Sequence, residues 1–133
     1  MIKNYINSIA ILFSLSLLFS SVSISIDNVD NGMLDIYMEN DEAVGGFQFD
    51  LTNISITGAS GGSAATNGFM VSSSATTVLG FSLTGGTIPI GEGTLLNVTF
   101  SGDPDEICLD GVVLSDHEGN SVSTNEWHCI SIK

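Results

Sequence analysis

Cys108 and Cys129 are the residues whose type and spacing predict the most specific chemistry in this chain. They are its two cysteines, and 20 residues separate them. In an oxidising compartment an even pair forms a disulfide, and closing a loop of that size stabilises a fold by roughly 3 kcal/mol. Together with His128 they could instead ligate a metal ion, but the paired CxxC or HxxxH spacing of such sites is absent. The sequence therefore predicts a Cys108–Cys129 disulfide.

Acidic residues are the second source of chemistry. Asp and Glu number 15 against two basic residues, Lys3 and Lys133, and the formal net charge is -13. Calcium prefers several carboxylate and carbonyl oxygens from one loop, and 27–31, 103–106 and 116–120 are turns rich in such groups. None follows the EF-hand pattern, so solvated turns capped by Asp and Asn are the favoured interpretation. The remaining weak calcium candidates are Asp103, Asp105, Glu106, Asp116 and Glu118.

The composition also excludes or disfavours several functions. Nucleic-acid binding needs clustered Lys and Arg, and this chain has no such cluster. Nucleophilic catalysis needs a hydroxyl or thiol beside an oriented base. The histidines are His117, in a polar turn, and His128, and there is no G-x-S-x-G motif. Fifteen acids allow many carboxylate pairs for glycoside hydrolysis, but an acid-rich surface needs no catalytic explanation. We therefore expect a protein without catalytic activity.

The first residues predict an export signal over 1–23. Lys3 supplies the positive charge, residues 9–19 supply an apolar stretch, and Ser21 and Ser23 are the small residues that a signal peptidase requires. The stretch is short and rich in Ser for a membrane span, so an uncleaved N-terminal anchor is the less favoured alternative and would be the chain's one contact with a membrane. Cleavage after Ser23 would leave 24–133 as one secreted or cell-surface domain.

Strands must position the residues of that domain. Apolar residues alternate with polar ones in several runs, and Gly, Asn and Asp separate the runs at turns. Residues 107–114 are more continuously apolar than the other runs, which predicts a strand covered on both faces. No segment has an apolar stripe long enough to predict a helix. The pattern predicts an all-β antiparallel sandwich of about eight or nine strands. The alternating positions expected to face inward include Leu34, Ile36, Met38, Leu79, Phe81, Leu83, Leu96 and Val98. Leu95 is expected on the opposite face of its strand from Leu96 and Val98.

Aromatic residues could bind sugar rings if they lay in a row on the surface. The alternation assigns five Phe residues to the core: Phe47, Phe49, Phe69, Phe81 and Phe100. Tyr37 and Trp127 remain as candidates for a ligand platform, and Tyr37 is out of phase with its apolar neighbours. Two aromatic residues are too few for a row of stacking positions. Sugar binding on a flat surface is therefore a less favoured function than protein binding.

Three blocks of this sequence resemble cohesin modules. Residues 44–51 (VGGFQFDL) are similar to an early cohesin strand, and 78–83 (VLGFSL) to the strand before the mid-module loop. Residues 88–100 (IPIGEGTLLNVTF) resemble the segment in which a glycine-bearing turn leads into a strand ending in Phe. Their order and spacing also fit, so the resemblance covers most of the predicted domain.

The resemblance implies a jelly-roll sandwich that binds dockerin modules in secreted or cell-surface assemblies. Dockerin contacts in cohesins are spread over one sheet face without a short motif, so no binding residues carry over to this chain. Cohesins share a superfamily with some carbohydrate-binding modules, which makes polysaccharide the alternative ligand. A structural subunit of an extracellular assembly is the third interpretation, because exported sandwiches can polymerise through their edges.

Overall fold

The computed structural model describes residues 21–124 and 128–132 as ten strands and one short helix. The elements are β1 (Val22–Asp30), β2 (Met33–Asn40), β3 (Gly46–Thr52), β4 (Ser55–Ser60), α1 (Gly62–Thr66), β5 (Met70–Ser73), β6 (Thr77–Phe81), β7 (Gly91–Ser101), β8 (Glu106–Ser115), β9 (Ser121–Val122) and β10 (His128–Ser131). Within these ranges there is no helix with the length and apolarity that a membrane crossing needs.

Two sheets form the fold. The first has four strands in the order β1-β2-β7-β4. The second has six, in the order β10-β8-β3-β6-β5 with β9 paired to β8. All ladders between these strands are antiparallel. One apolar core draws buried side chains from both sheets, which confirms the predicted sandwich.

Alternation along the strands builds this core where the sequence predicts it. Leu34, Ile36 and Met38 of β2 are buried, as are Phe47 and Phe49 of β3. The ring centroid of Phe47 lies 6.2 Å from that of Phe49 and 6.0 Å from that of Phe69, within the range of favourable aromatic pairs. These inward predictions are therefore confirmed.

Strand β7 contains a bulge, and it makes the predicted orientation of Leu95 wrong. Ile36 is paired with Leu96, but the next residue of β2, Tyr37, is paired with Thr94, so Leu95 is an extra residue on β7. A bulge turns two successive side chains toward one side of a strand. Leu95 and Leu96 are both fully buried as a result, whereas strict alternation assigns them to opposite faces.

The Ser- and Gly-rich segment before β5 contains the helix α1, which the sequence pattern did not predict. Gly61 and Gly62 have φ angles of 78° and 64°, a region that favours glycine. A Cβ on Gly62 would lie 2.3 Å from the carbonyl oxygen of Leu95, so the backbone of α1 packs directly on β7. Ala64 is buried in that contact. One turn is too short to show a helical period in a sequence.

Strand β1 begins within the segment predicted as the export signal. Val22 is buried, and its amide donates a 3.0 Å hydrogen bond to the carbonyl oxygen of Ser123. The amide of Ser21 donates to Oδ1 of Asp41 at 2.8 Å. Residues 1–20 lie outside the described residues. The cleavage expected after Ser23 would therefore remove residues that contribute to β1.

A protein that begins at Ile24 should be less stable than one that begins at Ser21. We expect its free energy of unfolding to be lower by about 1–2 kcal/mol, because it loses the buried Val22 side chain near a strand end. Urea unfolding of the two proteins measures the difference. Val22→Ser in the longer protein separates the side-chain contribution from that of the hydrogen bonds. Equal stabilities would contradict a structural role for the first two residues of β1.

The predicted disulfide is confirmed. Cys129 of β10 lies directly opposite Cys108 of β8, with 4.0 Å between their Cα atoms, and the two sulfur atoms are bonded. The bond closes a loop with a sequence separation of 21 residues. It holds the four-residue strand β10 against the edge of the second sheet.

Replacing both cysteines by Ser should lower the free energy of unfolding by about 2–4 kcal/mol, because the unfolded chain regains the entropy that the loop had lost. The fold should persist, since the core does not depend on the two sulfur atoms. Chemical unfolding of the variant, beside the oxidised and the reduced protein, measures this. Reduction of the unmutated protein should reproduce the loss, and a variant as stable as the oxidised protein would refute the expectation.

Candidate protein-binding face

An apolar patch lies on the outer face of the second sheet. In the register of β3, Gln48 is paired with Leu79 on one side and with Val113 on the other, so the three side chains share one face. Two residues further along β6, Phe81 is paired with Met70 of β5. We call Met70, Leu79, Phe81 and Val113 the apolar patch; their exposed fractions are 52%, 39%, 36% and 56%.

The prediction that Leu79 and Phe81 face the core is wrong. Val78 and Gly80 of β6 face inward instead. A Cβ on Gly80 would lie 2.2 Å from Cζ of Phe47, so the ring of Phe47 occupies the space that a side chain there would fill. With Gly80 facing Phe47, period-two alternation turns Leu79 and Phe81 to solvent. The alternation also predicts Leu83 on the inward face, but Leu83 follows the strand and is exposed.

Strand β8 is covered on one face, and the prediction of two covered faces is wrong. Ile107 and Leu109 are buried, whereas Val113 is exposed. The register shifts between Gln48 and Asp50 of β3, which leaves an extra residue on β8 near Gly111, where φ is 58°. Alternation is weak in this segment because the bulge interrupts it and because Val113, an apolar side chain, lies on the outer face.

Two carboxylates lie at one end of the apolar patch. Asp50 of β3 is paired with Asp110 of β8 and with Thr77 of β6. The hydroxyl of Thr77 donates a 2.6 Å hydrogen bond to Oδ1 of Asp50, and the amide of Gly111 donates one of 2.8 Å to Oδ1 of Asp110. The face therefore has an apolar centre and an acidic end.

The outer face of the first sheet is polar and includes Tyr37. The Tyr37 hydroxyl donates a 2.9 Å hydrogen bond to Oε2 of Glu92, and this bond raises the pKa of Tyr37 above its ordinary value. The out-of-phase position predicted for Tyr37 is confirmed, because its neighbours Ile36 and Met38 are buried. Trp127, the other platform candidate, lies outside the described residues.

Most of the calcium candidates lie in two turns. Oδ1 of Asp116 accepts 2.9 Å hydrogen bonds from the amides of Glu118 and Asn120, and the bond from Asn120 is the main cause that lowers the pKa of Asp116. This carboxylate thus caps its own turn. Asp103 and Asp105 precede β8, and Glu106 begins it.

Within the described residues, one group of three potential metal ligands comes together: Glu106, Cys108 and Cys129. The two sulfur atoms are bonded to each other, and a disulfide is not a thiolate ligand. The five candidates predicted from the sequence do not converge on one ligand set in this part of the chain.

An open depression of about 750 Å³ lies at the end of the sandwich where β1 begins. Glu39, Asp41, Glu92 and Ile90 contribute to its wall, with Ser and Thr hydroxyls between them. Neither His117 nor His128 lines it. These groups can accept or donate hydrogen bonds, but they do not include an imidazole base beside a hydroxyl.

Solved structures with the same architecture are cohesins and their complexes. A non-cellulosomal cohesin from the archaeon Archaeoglobus fulgidus matches with a TM-score of 0.55 and 20% identity, over 80% of this chain and 84% of that one. The fold is cohesin-like. A chain of the CaDoc0917–CaCohA2 complex matches with a TM-score of 0.56 and 14% identity, over 84% and 99% of the two chains.

A third match is a chain of the Coh-OlpC–Doc435 complex, a type I cohesin–dockerin complex from Clostridium thermocellum. Its TM-score is 0.54 and its identity 15%, over 85% of this chain and 94% of that one. No protein-family model matches the sequence, and neither does any curated protein. At such identities the likeness establishes the fold, and the cohesin resemblance of the three sequence blocks is confirmed at that level.

The Gly80–Phe47 contact can be tested by substitution. Gly80→Ala should lower the free energy of unfolding by about 2–3 kcal/mol, because the added methyl group overlaps the Phe47 ring in a packed core. Thermal or urea unfolding measures the loss. Phe47→Leu supplies the control: Gly80→Ala should cost much less in that background, and equal costs in both backgrounds would show that the two residues do not interact.

Proposed function

We propose that this chain is an exported, non-catalytic module that binds another protein through the apolar patch. The observation that carries the proposal is the set of four large apolar side chains exposed together on one sheet face. Single exposed apolar residues are ordinary, but several large ones on one sheet face indicate an interaction surface. A flat sheet face can supply the roughly 800 Å² per partner that a standard interface needs.

A dockerin-type protein is the first partner to test. The support is the cohesin-like fold and the similarity to a chain of the cohesin–dockerin complex from Clostridium thermocellum. The net charge of -13 indicates that the partner presents a basic or calcium-loaded surface. This acidic chain would not attract a neutral surface electrostatically, and it would repel an acidic one. Calcium in such a pair would belong to the partner.

Export is part of the proposal. Its support is the N-terminal sequence with Lys3, the apolar stretch and the small residues before β1, together with a disulfide that persists in oxidising compartments. N-terminal sequencing of protein recovered from the medium tests it. A free, intact Met1 on membrane-bound protein would instead indicate an uncleaved anchor.

Substitution in the patch tests the binding face. Leu79→Ser combined with Val113→Ser should weaken binding by about 10- to 100-fold, because truncating the two apolar contacts together costs about 1.4–2.7 kcal/mol. The measurement is titration against a panel of calcium-loaded dockerins that includes Doc435. Met33→Ser is the matched control, since Met33 is 50% exposed but lies in β2 of the first sheet. Its affinity should be unchanged.

Three outcomes would contradict this proposal. Equal losses in the patch variant and in Met33→Ser would place the interface elsewhere. Retention on insoluble polysaccharide that disappears with Tyr37→Ala, without any protein partner, would identify a carbohydrate-binding module. Concentration-dependent polymers of the protein alone would identify a structural subunit.

A further inference from the structure

Two segments of this chain carry the sequence Asn-x-Ser/Thr, at which an exported protein can receive an N-linked glycan. They are residues 53–55 (NIS) and residues 97–99 (NVT). The motif alone does not distinguish them, because a glycan also needs space around the amide nitrogen to which it is bonded. The fold places the two Asn residues in opposite surroundings: Asn53 lies at an exposed corner, and Asn97 lies within a sheet.

Asn53 lies where the chain passes from one sheet to the other. With Ile54 it forms the short connection between β3, in the second sheet, and β4, in the first. Ile54 packs against the core, whereas Asn53 is exposed. The φ angle of Asn53 is 70°, in the left-handed region where Asn is found more often than most residues. The first residue of the motif is therefore presented to solvent at a tight turn.

The hydrogen bonding of the Asn53 side chain is compatible with a glycan. Its Nδ2 donates a 2.9 Å hydrogen bond to the carbonyl oxygen of Glu106. A carboxamide nitrogen carries two hydrogens, and an N-linked glycan replaces only one of them. The contact with Glu106 can therefore hold the amide in place while the second position carries the sugar. Ser55, the third residue of the motif, is exposed as well.

Asn97 is enclosed by the strands on either side of it. It lies in β7, between β2 and β4. Its Nδ2 donates a hydrogen bond to Oδ1 of Asp35 on β2. A Cβ on Gly61, which directly follows β4, would lie 2.7 Å from Oδ1 of Asn97, so the backbone there packs against this amide as well. A sugar on Nδ2 would have to displace one of these neighbours. The folded protein is therefore incompatible with a glycan at the second motif.

We propose that Asn53 carries an N-linked glycan in the exported protein and that Asn97 does not. The inference rests on the export part of the proposed function, because the sugar donor is an oligosaccharide linked through phosphate to a membrane lipid. Nδ2 of Asn53 forms a bond to the anomeric carbon of the first sugar, and the bond from that carbon to the phosphate oxygen breaks. The lipid phosphate leaves with the electron pair, and a base of the transferase takes the amide proton.

A glycan on Asn53 would leave the apolar patch uncovered. Thr52, the last residue of β3, lies four positions from Gln48, which is about 13 Å along the strand. Gln48 is the centre of the row that Leu79 and Val113 complete, and Asn53 lies beyond Thr52. A glycan is bulky and solubilising, so at this end of the sandwich it adds solubility without occupying the face proposed for binding.

Tandem mass spectrometry of the protein recovered from the medium and the surface of its own cells tests the site. Fragmentation that keeps glycans attached should place a carbohydrate mass on Asn53 and leave Asn97 unmodified. Ser55→Ala should abolish the carbohydrate mass, because the motif loses its hydroxyl, whereas Ser55→Thr should retain it. Both variants keep Asn53 and its hydrogen bond, and Ser55 is exposed, so both should fold.

The same measurement separates this inference from the proposed function. Exported protein in which Asn53 is unmodified would overturn the inference and leave the proposed function intact. A carbohydrate mass on Asn97, or one that persists in Ser55→Ala, would also overturn it, because the modification would then lie elsewhere. Protein that stays inside the cells with Met1 intact would refute export and this inference together.

Discussion

The contact between Phe47 and Gly80 determines which surface this protein presents. The Phe47 ring needs the volume above Gly80, so β6 can pair with β3 in one phase and not in the other. Slipping a strand by one residue moves every side chain to the opposite face. The phase that places Gly80 inward also places Leu79 and Phe81 outward. A requirement of the core thus turns two residues of the apolar patch to the surface.

The charge of the chain limits how the fold can be stabilised. With no Lys or Arg between the two ends, ion pairs with Lys or Arg cannot contribute within the described ranges, and stability depends on the apolar core and the disulfide. Several acids lie opposite each other on neighbouring strands. These pairs are Asp27 with Asp35, Glu39 with Glu92, and Asp50 with Asp110. Such an acidic surface keeps copies of the chain apart and favours basic partners.

The likeness to cohesins is clear in the fold and weak in the sequence. A sandwich needs alternating apolar residues, turns at regular intervals and glycine where backbones approach, and many sequences satisfy these conditions. The outer positions of the strands are not constrained by the core. Similar folds can therefore present different faces, and the face proposed here for binding carries this chain's own residues, such as Leu79 and Val113.

The strand-rich class, the inward residues of β2 and β3 and the disulfide are all predictable from the sequence. Period-two alternation is visible within each strand, and two cysteines allow one pairing. It could not assign Leu79, Phe81 and Val113 to the surface. A strand has two alternating sets of residues, one on each face. When both sets contain apolar residues, the pattern does not say which set faces the core. The neighbouring strand decides, through the ring of Phe47 against Gly80 and the bulge at Gly111. The pairing of Asp50 with Asp110 likewise exists only in the folded sheet, since 59 residues of chain separate the two acids.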